Sequence, residues 1–416
     1  MARKMKDSGI EWIGEIPEGW EVVKAKYLFA QRNEKGNSAL VLLSPTQKYG
    51  VIPQSQLEGV VQVKENTDLR TFKTIHIGDF VISLRSFQGG FEFSNYEGVC
   101  SPAYQVFHAT KDLSNDFFRY LFKSDGFISK INSLTVGIRE GKNIQYWDFS
   151  NMLLALPPKE VQIRSAQYLS AKCTEIDTML SKTRSSIEEY KKLKQAVITQ
   201  AVTKGVRGER EMKDSGVEWI GTYPSNWKII KIKWLLHERK DRSVTGLEEP
   251  LSMSQKKGLI PTKDMDSIPN MASSFIGAKL VYKGDLVFNK LKAHLGVFSV
   301  SKYNGLVSPD YAVYYSTGPA NLNFLELLFK TPQYINEFKK KSSGVGAGLT
   351  RLYTGDLYSI YCALPPLVEQ EEIADYLDIK CTEIDRLIAK KEQLVKELES
   401  YKKSLIYEVV TGKREV

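Results

Sequence analysis

The chain has 416 residues, enough for two or three domains that each bury a core. With 42% apolar and 26% charged residues it is not a largely disordered chain, and its net charge of +9 is compatible with a polyanionic partner. No apolar run approaches about 18 residues and the N-terminus lacks an apolar leader, so we expect no membrane span and a cytoplasmic location.

The N-terminal segment recurs halfway along the chain. Residues 5–14 read MKDSGIEWIG, and residues 212–221 read MKDSGVEWIG, an offset of about 207 residues. Later segments recur in the same order. They are Pro17 and Trp20 with Pro224 and Trp227, Gly78-Asp79 with Gly284-Asp285, Leu156-Pro-Pro158 with Leu364-Pro-Pro366, and 172–177 with 380–385. The chain is therefore a duplication of one unit.

Each copy begins with strand-forming sequence and ends with helix-forming sequence. Short runs of Val, Ile, Phe and Tyr, broken by turn residues, predict strands in residues 21–156 and 228–363. One helical patch interrupts each stretch, at 115–130 and 321–341. Residues 160–205 and 368–412 hold almost no Gly or Pro and predict long helices.

This pattern predicts an α+β fold. We expect two pseudo-twofold-related domains of helices and strands, separated by two long helices packed as a coiled coil. The expected boundaries are 1–156 for the first domain, 157–207 for the central helical region, 208–363 for the second domain and 364–416 for the C-terminal helical region. Leu-Pro-Pro prevents each long helix from starting earlier, and Gly205 and Gly412 end them.

An apolar seam runs along both predicted long helices. Its residues are three, four or seven positions apart, the spacing of a helix pair. The seam comprises Ile176, Leu180, Ile187, Tyr190 and Val197 in the first helix, and Ile384, Ile388, Val395, Leu398 and Leu405 in the second. The alternative is that each helix packs only on its own domain.

Catalytic motifs are weak. The glycines of 343–348 follow a basic helix rather than a strand, which argues against a nucleotide cradle. Asp310 and Glu337 could hold a nuclease metal, but the other copy has Ala103 and Lys130. The Leu-Pro-Pro segments lack the acid or amide and the aromatic residue of an amino-methyltransferase motif. No CxxC pair, HExxH or phosphate loop is present, so we expect no enzyme, metal or cofactor in this chain.

The ordered segments resemble the specificity subunits of type I restriction–modification systems. The resemblance rests on residues 7–20 and 214–227, on Leu-Pro-Pro followed by Glu369-Gln370, and on the helix ends Val202-Thr203 and Val410-Thr411. It implies that each globular domain is a target-recognition domain reading one half of an asymmetric bipartite DNA site. The helices would set the spacer and dock the partner subunits.

The same resemblance implies the partners. Two modification subunits would carry S-adenosylmethionine and methylate adenine N6 in double-stranded DNA. Two restriction subunits, using ATP and Mg²⁺, would translocate and cut unmethylated DNA. This chain would hold no cofactor itself. A metal-dependent nuclease, a coiled-coil scaffold and an RNA-binding module remain the competing hypotheses.

Two loops in each copy are candidates for contacting bases, because each combines basic or amide side chains with turn residues. The first loop follows Gly-Asp and a strand, and contains Arg85, Phe87 and Gln88, or Asn289, Lys290, Lys292 and His294. The second contains Arg139, Lys142, Asn143, Gln145 and Tyr146, or Thr350, Arg351 and Tyr353. Lys48, Lys256 and Lys257 are candidates for phosphate contact. Trp12, Trp20, Trp219 and Trp227 recur in apolar contexts, which favours packing over base stacking.

Overall fold

The computed structural model describes residues 3–35, 39–57, 68–83, 90–134, 144–254, 257–267, 274–344 and 350–416. The chain forms two compact units. Unit 1 comprises Met1–Arg184 with Glu392–Val416, and unit 2 comprises Ser185–Lys391. Among the described residues, no helix is both long enough and apolar enough to cross a membrane.

Unit 1 is built on an antiparallel four-stranded sheet of order β4-β11-β8-β9. Two-stranded sheets β1–β2, β3–β12, β5–β6 and β7–β10 surround it. The elements are β1 (Met5–Asp7), β2 (Glu15–Pro17), β3 (Glu21–Lys24), β4 (Phe29–Arg32), β5 (Leu43–Thr46), β6 (Gly50–Pro53), β7 (Lys73–Ile75), β8 (Phe80–Ile82), β9 (Phe91–Phe93), β10 (Gly98–Cys100), β11 (Gln105–Ala109), α1 (Asn115–Leu121), α2 (Asp125–Leu134), α3 (Tyr146–Ser150), β12 (Leu153–Leu156) and the beginning of α4 (Lys159–Lys204).

Unit 2 repeats this order, with the four-stranded sheet β16-β23-β20-β21. It also contains the pairs β13–β14, β15–β26, β17–β18, β19–β22 and β24–β25. The elements are β13 (Met212–Asp214), β14 (Thr222–Pro224), β15 (Lys228–Lys231), β16 (His237–Glu238), β17 (Leu251–Ser254), β18 (Gly258–Pro261), β19 (Lys279–Val281), β20 (Leu286–Asn289), β21 (Phe298–Val300), β22 (Gly305–Val307), β23 (Tyr311–Tyr315), α5 (Leu322–Phe329), α6 (Pro332–Lys341), β24 (Ser343–Gly344), β25 (Thr350–Arg351), α7 (Thr354–Ser359), β26 (Tyr361–Leu364) and most of α8 (Leu367–Val410).

Each predicted helical patch is a pair of helices rather than one. In unit 2 the break falls before Pro332, which occupies the first turn of α6 and cannot donate a backbone hydrogen bond to α5. The Thr331 hydroxyl donates to the Leu328 carbonyl at 2.7 Å and closes the end of α5. Ser124 does the same in unit 1, donating to the Leu121 carbonyl at 2.7 Å. The hydroxyls therefore satisfy carbonyls that a continuous helix would have used.

Aromatic side chains fill the core of unit 1. Phe29, Phe80, Phe107, Phe122 and Phe149 are fully buried on one face of the main sheet, and most of their ring contacts are edge-on or tilted. Such packing contributes about 1.5–3 kcal/mol for each buried side chain. The core of unit 2 is more aliphatic, with Leu286, Leu325, Leu328 and Ile373 among its members.

The recurring tryptophans pack inside their units, as predicted. Trp20 and Trp227 are buried, at 2% and 1% exposure. Trp12 contacts Phe127 edge-on, with ring centroids 6.2 Å apart, and Trp219 contacts Tyr334 at 4.8 Å. These rings therefore anchor the entry segment of each unit.

The long helices pack together, which confirms the predicted α+β architecture. In unit 1, Lys402 Nζ contacts Asp177 Oδ1 at 2.6 Å, and in unit 2 Lys194 Nζ contacts Asp385 Oδ2 at 2.6 Å. A second pair joins Arg184 to Glu399 in unit 1, and Arg207, just after α4, to Glu372 in unit 2. Within each unit, residue numbers therefore rise along α4 as they fall along α8, so the two helix segments are antiparallel. Asp177 and Asp385 are equivalent in the duplication, as are Lys194 and Lys402.

The seam residues lie along this helix pairing. Ile176, Leu180 and Leu405 belong to the buried core of unit 1, with Val395 and Leu398 packed against it. In unit 2, Ile187 and Ile384 are buried, Val197 packs against the core, and Tyr190 and Ile388 are half-buried.

Both helices begin and end at the predicted signals. Each starts just after its Pro-Pro and stops before a glycine with positive φ, Gly205 at +78° and Gly412 at +74°. A buried glutamine, Gln162 in α4 and Gln370 in α8, donates to the first proline of each Leu-Pro-Pro at 2.9 Å. Each also accepts a backbone N–H from the segment before α1 or α5, at 2.9 Å and 2.8 Å. The glutamines thus fasten each sheet domain to its helix.

Candidate nucleic-acid interface

An arginine–aspartate pair lies at the turn that precedes the first candidate loop in each copy of the sequence. Arg239 donates to Asp285 through Nε at 2.7 Å and Nη2 at 2.8 Å. In unit 1, Arg32 contacts Asp79 in the same way, at 2.7 and 3.2 Å. Both carboxylates are almost fully buried, at 3% and 5% exposure. Two parallel N–H···O bonds fix the turn that begins β8 or β20, and with it the strand that ends at the loop.

The preceding glycines are required by the same turn. Gly78 has φ +91° and Gly284 has φ +95°, values that favour glycine. Each donates its N–H to the carbonyl of a serine, Ser94 or Ser301, at 2.8 Å. The recurring Gly-Asp pair of the sequence therefore marks a structural turn beneath the loop, rather than a group that contacts a ligand.

In unit 2 the first loop begins at Asn289, the last residue of β20. Its side-chain oxygen accepts the Leu291 N–H at 3.1 Å, and its backbone is bonded to Val297 and Lys292 at 3.0 Å. Lys292 is exposed, whereas Lys290 and His294 are half-buried. The loop is thus held at both ends and presents a basic side chain outward.

The second loop of unit 2 lies directly against the first. Leu352 donates its N–H to the Lys290 carbonyl at 3.0 Å, and the Thr350 hydroxyl lies 3.5 Å from His294 Nδ1. Tyr353 is 45% exposed. Although these loops are about 60 residues apart in sequence, the structure makes them one surface.

Arg351 at the centre of this surface has a carboxylate partner. Its Nη2 donates to Asp310 Oδ1 at 2.6 Å, with the arginine side chain 26% exposed and the aspartate 62% exposed. The guanidinium also lies 6.0 Å from the centre of the Tyr353 ring. Asp310 therefore orients Arg351, a role that its sequence context did not indicate.

A partly buried polar network lies close to Lys290. Lys279 Nζ donates to Glu238 at 2.9 Å, and the Thr354 hydroxyl donates to the other Glu238 oxygen at 2.7 Å. Burial, followed by the nearby Lys279 ammonium, lowers the pKa of Lys290. This network links β16, β19 and α7 beneath the two loops. Sequence analysis missed it, because its members lie far apart in the chain.

Most candidates of unit 1 lie outside the described residues. These are Arg85, Phe87, Gln88, Arg139, Lys142 and Asn143, as well as Lys256 of unit 2. Gln145 is exposed at the start of α3, but Tyr146 points inward and donates its hydroxyl to the Phe29 carbonyl at 2.7 Å. Lys48 is exposed beside Tyr49, and Lys257 forms an ion pair with Asp266 at 2.8 Å.

The nuclease hypothesis gains no support. Asp310 is engaged by Arg351. Within the part of the chain that the structure describes, no group of three or more His, Cys, Asp or Glu side chains could hold a metal ion.

No protein-family model matches the chain. It is 25% identical to a provisionally named type I restriction enzyme MjaX specificity subunit of Methanocaldococcus jannaschii, over 96% of this chain and 95% of that protein. It is 21% identical to the type I restriction enzyme MjaVIII specificity subunit of the same organism, over 96% and 93%.

Two solved structures share the fold. One is a chain from work on the structural basis of complex assembly and conformational transition of the type I R-M system. It has a TM-score of 0.71 and 16% identity, over 96% of this chain and 99% of that one. The other is the HsdS subunit from Thermoanaerobacter tengcongensis, with a TM-score of 0.56 and 16% identity over 96% and 98%.

The architecture is therefore that of HsdS proteins: two sheet-containing units and two long helices that pack together. The resemblance to type I restriction enzyme specificity subunits therefore holds in sequence over nearly the whole chain, and it holds in the fold.

Proposed function

We propose that the chain is the non-catalytic DNA-recognition subunit of a type I restriction–modification complex. The regions 1–156 and 208–363 each read one half of an asymmetric bipartite site. The helical regions 157–207 and 364–416 set the spacer and dock two modification subunits. S-adenosylmethionine then belongs to those subunits, and ATP and Mg²⁺ belong to two restriction subunits.

One observation carries the proposal. The same Arg–Asp turn precedes a candidate loop in both copies of the sequence, and in unit 2 the structure brings that loop against a second candidate loop. The combined surface contains Asn289, Lys292 and Arg351. The Asn289 amide suits an adenine edge, and the Lys292 ammonium and Arg351 guanidinium suit a guanine edge. Since the loop sequences differ between the units, the two half-sites should differ as well.

The test is methylation mapping of the assembled complex. The full chain is co-produced with a modification subunit, supplied with labelled S-adenosylmethionine and incubated with DNA of known sequence. We expect methyl transfer to adenines within one asymmetric, interrupted sequence. The chain alone should transfer no label. Transfer by the isolated chain, or transfer independent of DNA sequence, would contradict the proposal.

The spacer role has its own test. Inserting four helix-forming residues after Lys194 lengthens α4 by about 6 Å and turns it by a net ~40°, so the seam is only slightly displaced. Two base-pair steps of DNA span about the same distance as the added helix length. The same half-sequences should then appear with a spacer longer by one or two base pairs. An unchanged spacer would show that the helices do not set the distance.

A further inference from the structure

A groove runs along the free edge of the main sheet in unit 2. Strand β21 is the edge strand, and the groove beside it has a volume of about 490 Å³. Ser254, Lys257 and Gly258 line one side, and Asn323 and Glu326 of α5 line the other. The groove reaches Gly296, where the first candidate loop ends.

The groove is basic. Its lining residues include Lys257, Lys283, Lys302 and Lys330, but only one carboxylate, Glu326, among those described. Lys283 and Lys302 are exposed and form no ion pair within the described part of the chain. Their ammonium groups are therefore available to an anionic ligand.

The Glu326 carboxylate is already engaged. Glu326 accepts the Val300 N–H at 2.7 Å and the Lys330 ammonium at 2.5 Å. Because this bond occupies the outward N–H of edge strand β21, a peptide adding to the sheet would find that donor taken. The groove therefore favours an anion held by side chains over a peptide strand.

Unit 1 lacks this basic character at the equivalent positions. The matching backbone bonds, Gly78 to Ser94 and Gly284 to Ser301, align Ile77 with Lys283 and Asn95 with Lys302. Lys123, the counterpart of Lys330, is paired at 2.7 Å with the buried Glu92. At these equivalent positions, available lysines are thus present in unit 2 and not in unit 1.

We infer that this groove binds the DNA phosphate backbone beside the half-site read by unit 2. The inference rests on the proposed function. It follows from continuity, since a strand contacting the loop at 289–294 would reach the groove at Gly296, and from charge, since lysines neutralise phosphates without reading sequence. Unit 2 then supplies more sequence-independent affinity than unit 1.

The test is the salt dependence of DNA binding by the complex of the full chain with its modification subunit. Each phosphate contact contributes about −0.9 to the slope of log affinity against log salt. The double variant Lys283→Gln/Lys302→Gln should have a slope shallower by up to about 2. The ratio of wild-type to variant affinity should then fall about tenfold when salt rises fourfold. The loss should be equal on cognate and scrambled DNA.

Lys228→Gln/Lys240→Gln is the matched control, because it removes the same charge from exposed lysines of unit 2 that lie outside the groove and form no ion pair within the described part of the chain. An equal change of slope in this control would overturn the inference, since net charge alone would then explain the effect. Failure of the groove variant to bind the modification subunit would overturn it too, by assigning the groove to protein docking. In the converse variant, Ile77→Lys/Asn95→Lys, the slope should become steeper.

The two proposals fail differently. Wild-type complex that does not prefer its methylated sequence over scrambled DNA contradicts the proposed function. Wild-type complex that does prefer it, with an unchanged slope in the groove variant, contradicts the groove alone.

Discussion

The two units share the interactions that fold them and differ in the groups that they present. Both contain the Arg–Asp pair, the glycine with positive φ before it and a buried tryptophan. At exposed positions of unit 1, Ile77, Asn95 and Ala103 replace lysine, lysine and aspartate. A duplicated fold can thus be kept while its surface changes, because buried bidentate pairs tolerate little substitution and exposed side chains tolerate much.

Even the environment of the shared pair differs. In unit 2 the Arg239 guanidinium lies 4.6 Å from the ring centres of both Tyr282 and Tyr315. In unit 1 the counterpart of Tyr282 is His76, whose ring nitrogens contact Glu34 and Glu97 at 3.0 and 3.3 Å. Aromatic stacking supports the arginine in one unit, and a histidine–carboxylate cluster lies beside it in the other.

Removing the shared aspartate tests whether the Arg–Asp pair stabilises both units equally. Asp79→Ala and Asp285→Ala should each lower the free energy of unfolding by about 3 kcal/mol, because an arginine loses its buried partner. Urea unfolding measures this loss. The exposed Asp68→Ala, which breaks the Arg70 pair, is the control and should leave unfolding unchanged. A large loss of unfolding free energy for only one of the two variants would show that the Arg–Asp pairs do not stabilise their units equally.

Replacing Arg351 should affect DNA binding rather than folding, in contrast to the buried aspartates. Arg351→Ala should weaken binding to the cognate sequence by about 1–3 kcal/mol and have less effect on scrambled DNA. Arg351→Lys keeps the charge but not the two parallel N–H groups, so it should lose nearly as much specificity. Arg85→Ala carries the same expectation for unit 1.

Asp310→Ala removes the carboxylate that orients Arg351. We expect relaxed specificity in the half-site read by unit 2 and no change in the other half-site, as seen by methylation mapping. Equal losses of affinity on cognate and scrambled DNA would instead make Arg351 a phosphate contact.

The two equivalent ion pairs between the long helices should contribute nearly the same, small amount to stability. Lys194→Ala and Lys402→Ala each break one exposed pair with Asp385 or Asp177, so each should cost less than about 1 kcal/mol. Thermal unfolding at low and high salt measures this, and salt should reduce both effects. A much larger loss in one variant would reveal that its helix segment depends on charge.

The smallest contrast concerns the equivalent cysteines of the long helices. Burial raises the pKa of both thiols, but Cys173 is buried whereas Cys381 is half-buried. Alkylation with iodoacetamide at pH 8, followed by mass spectrometry, should modify Cys381 before Cys173. Burial raises the pKa of Cys100 and Cys362 to about 12, so both should react only after unfolding. Rapid labelling of Cys100 in folded protein would contradict this order.

The sequence by itself determined the duplication, the two long helices, their starts after Pro-Pro and their ends at Gly205 and Gly412. These features depend on local signals: helix propensity, proline, glycine and apolar spacing act within a few residues. The tertiary structure decided the rest. It brought Leu352 against Lys290, paired Arg239 with Asp285 and Arg351 with Asp310, and formed the groove along β21. Such contacts join positions tens of residues apart and depend on strand order and register, for which this sequence carries no local signal.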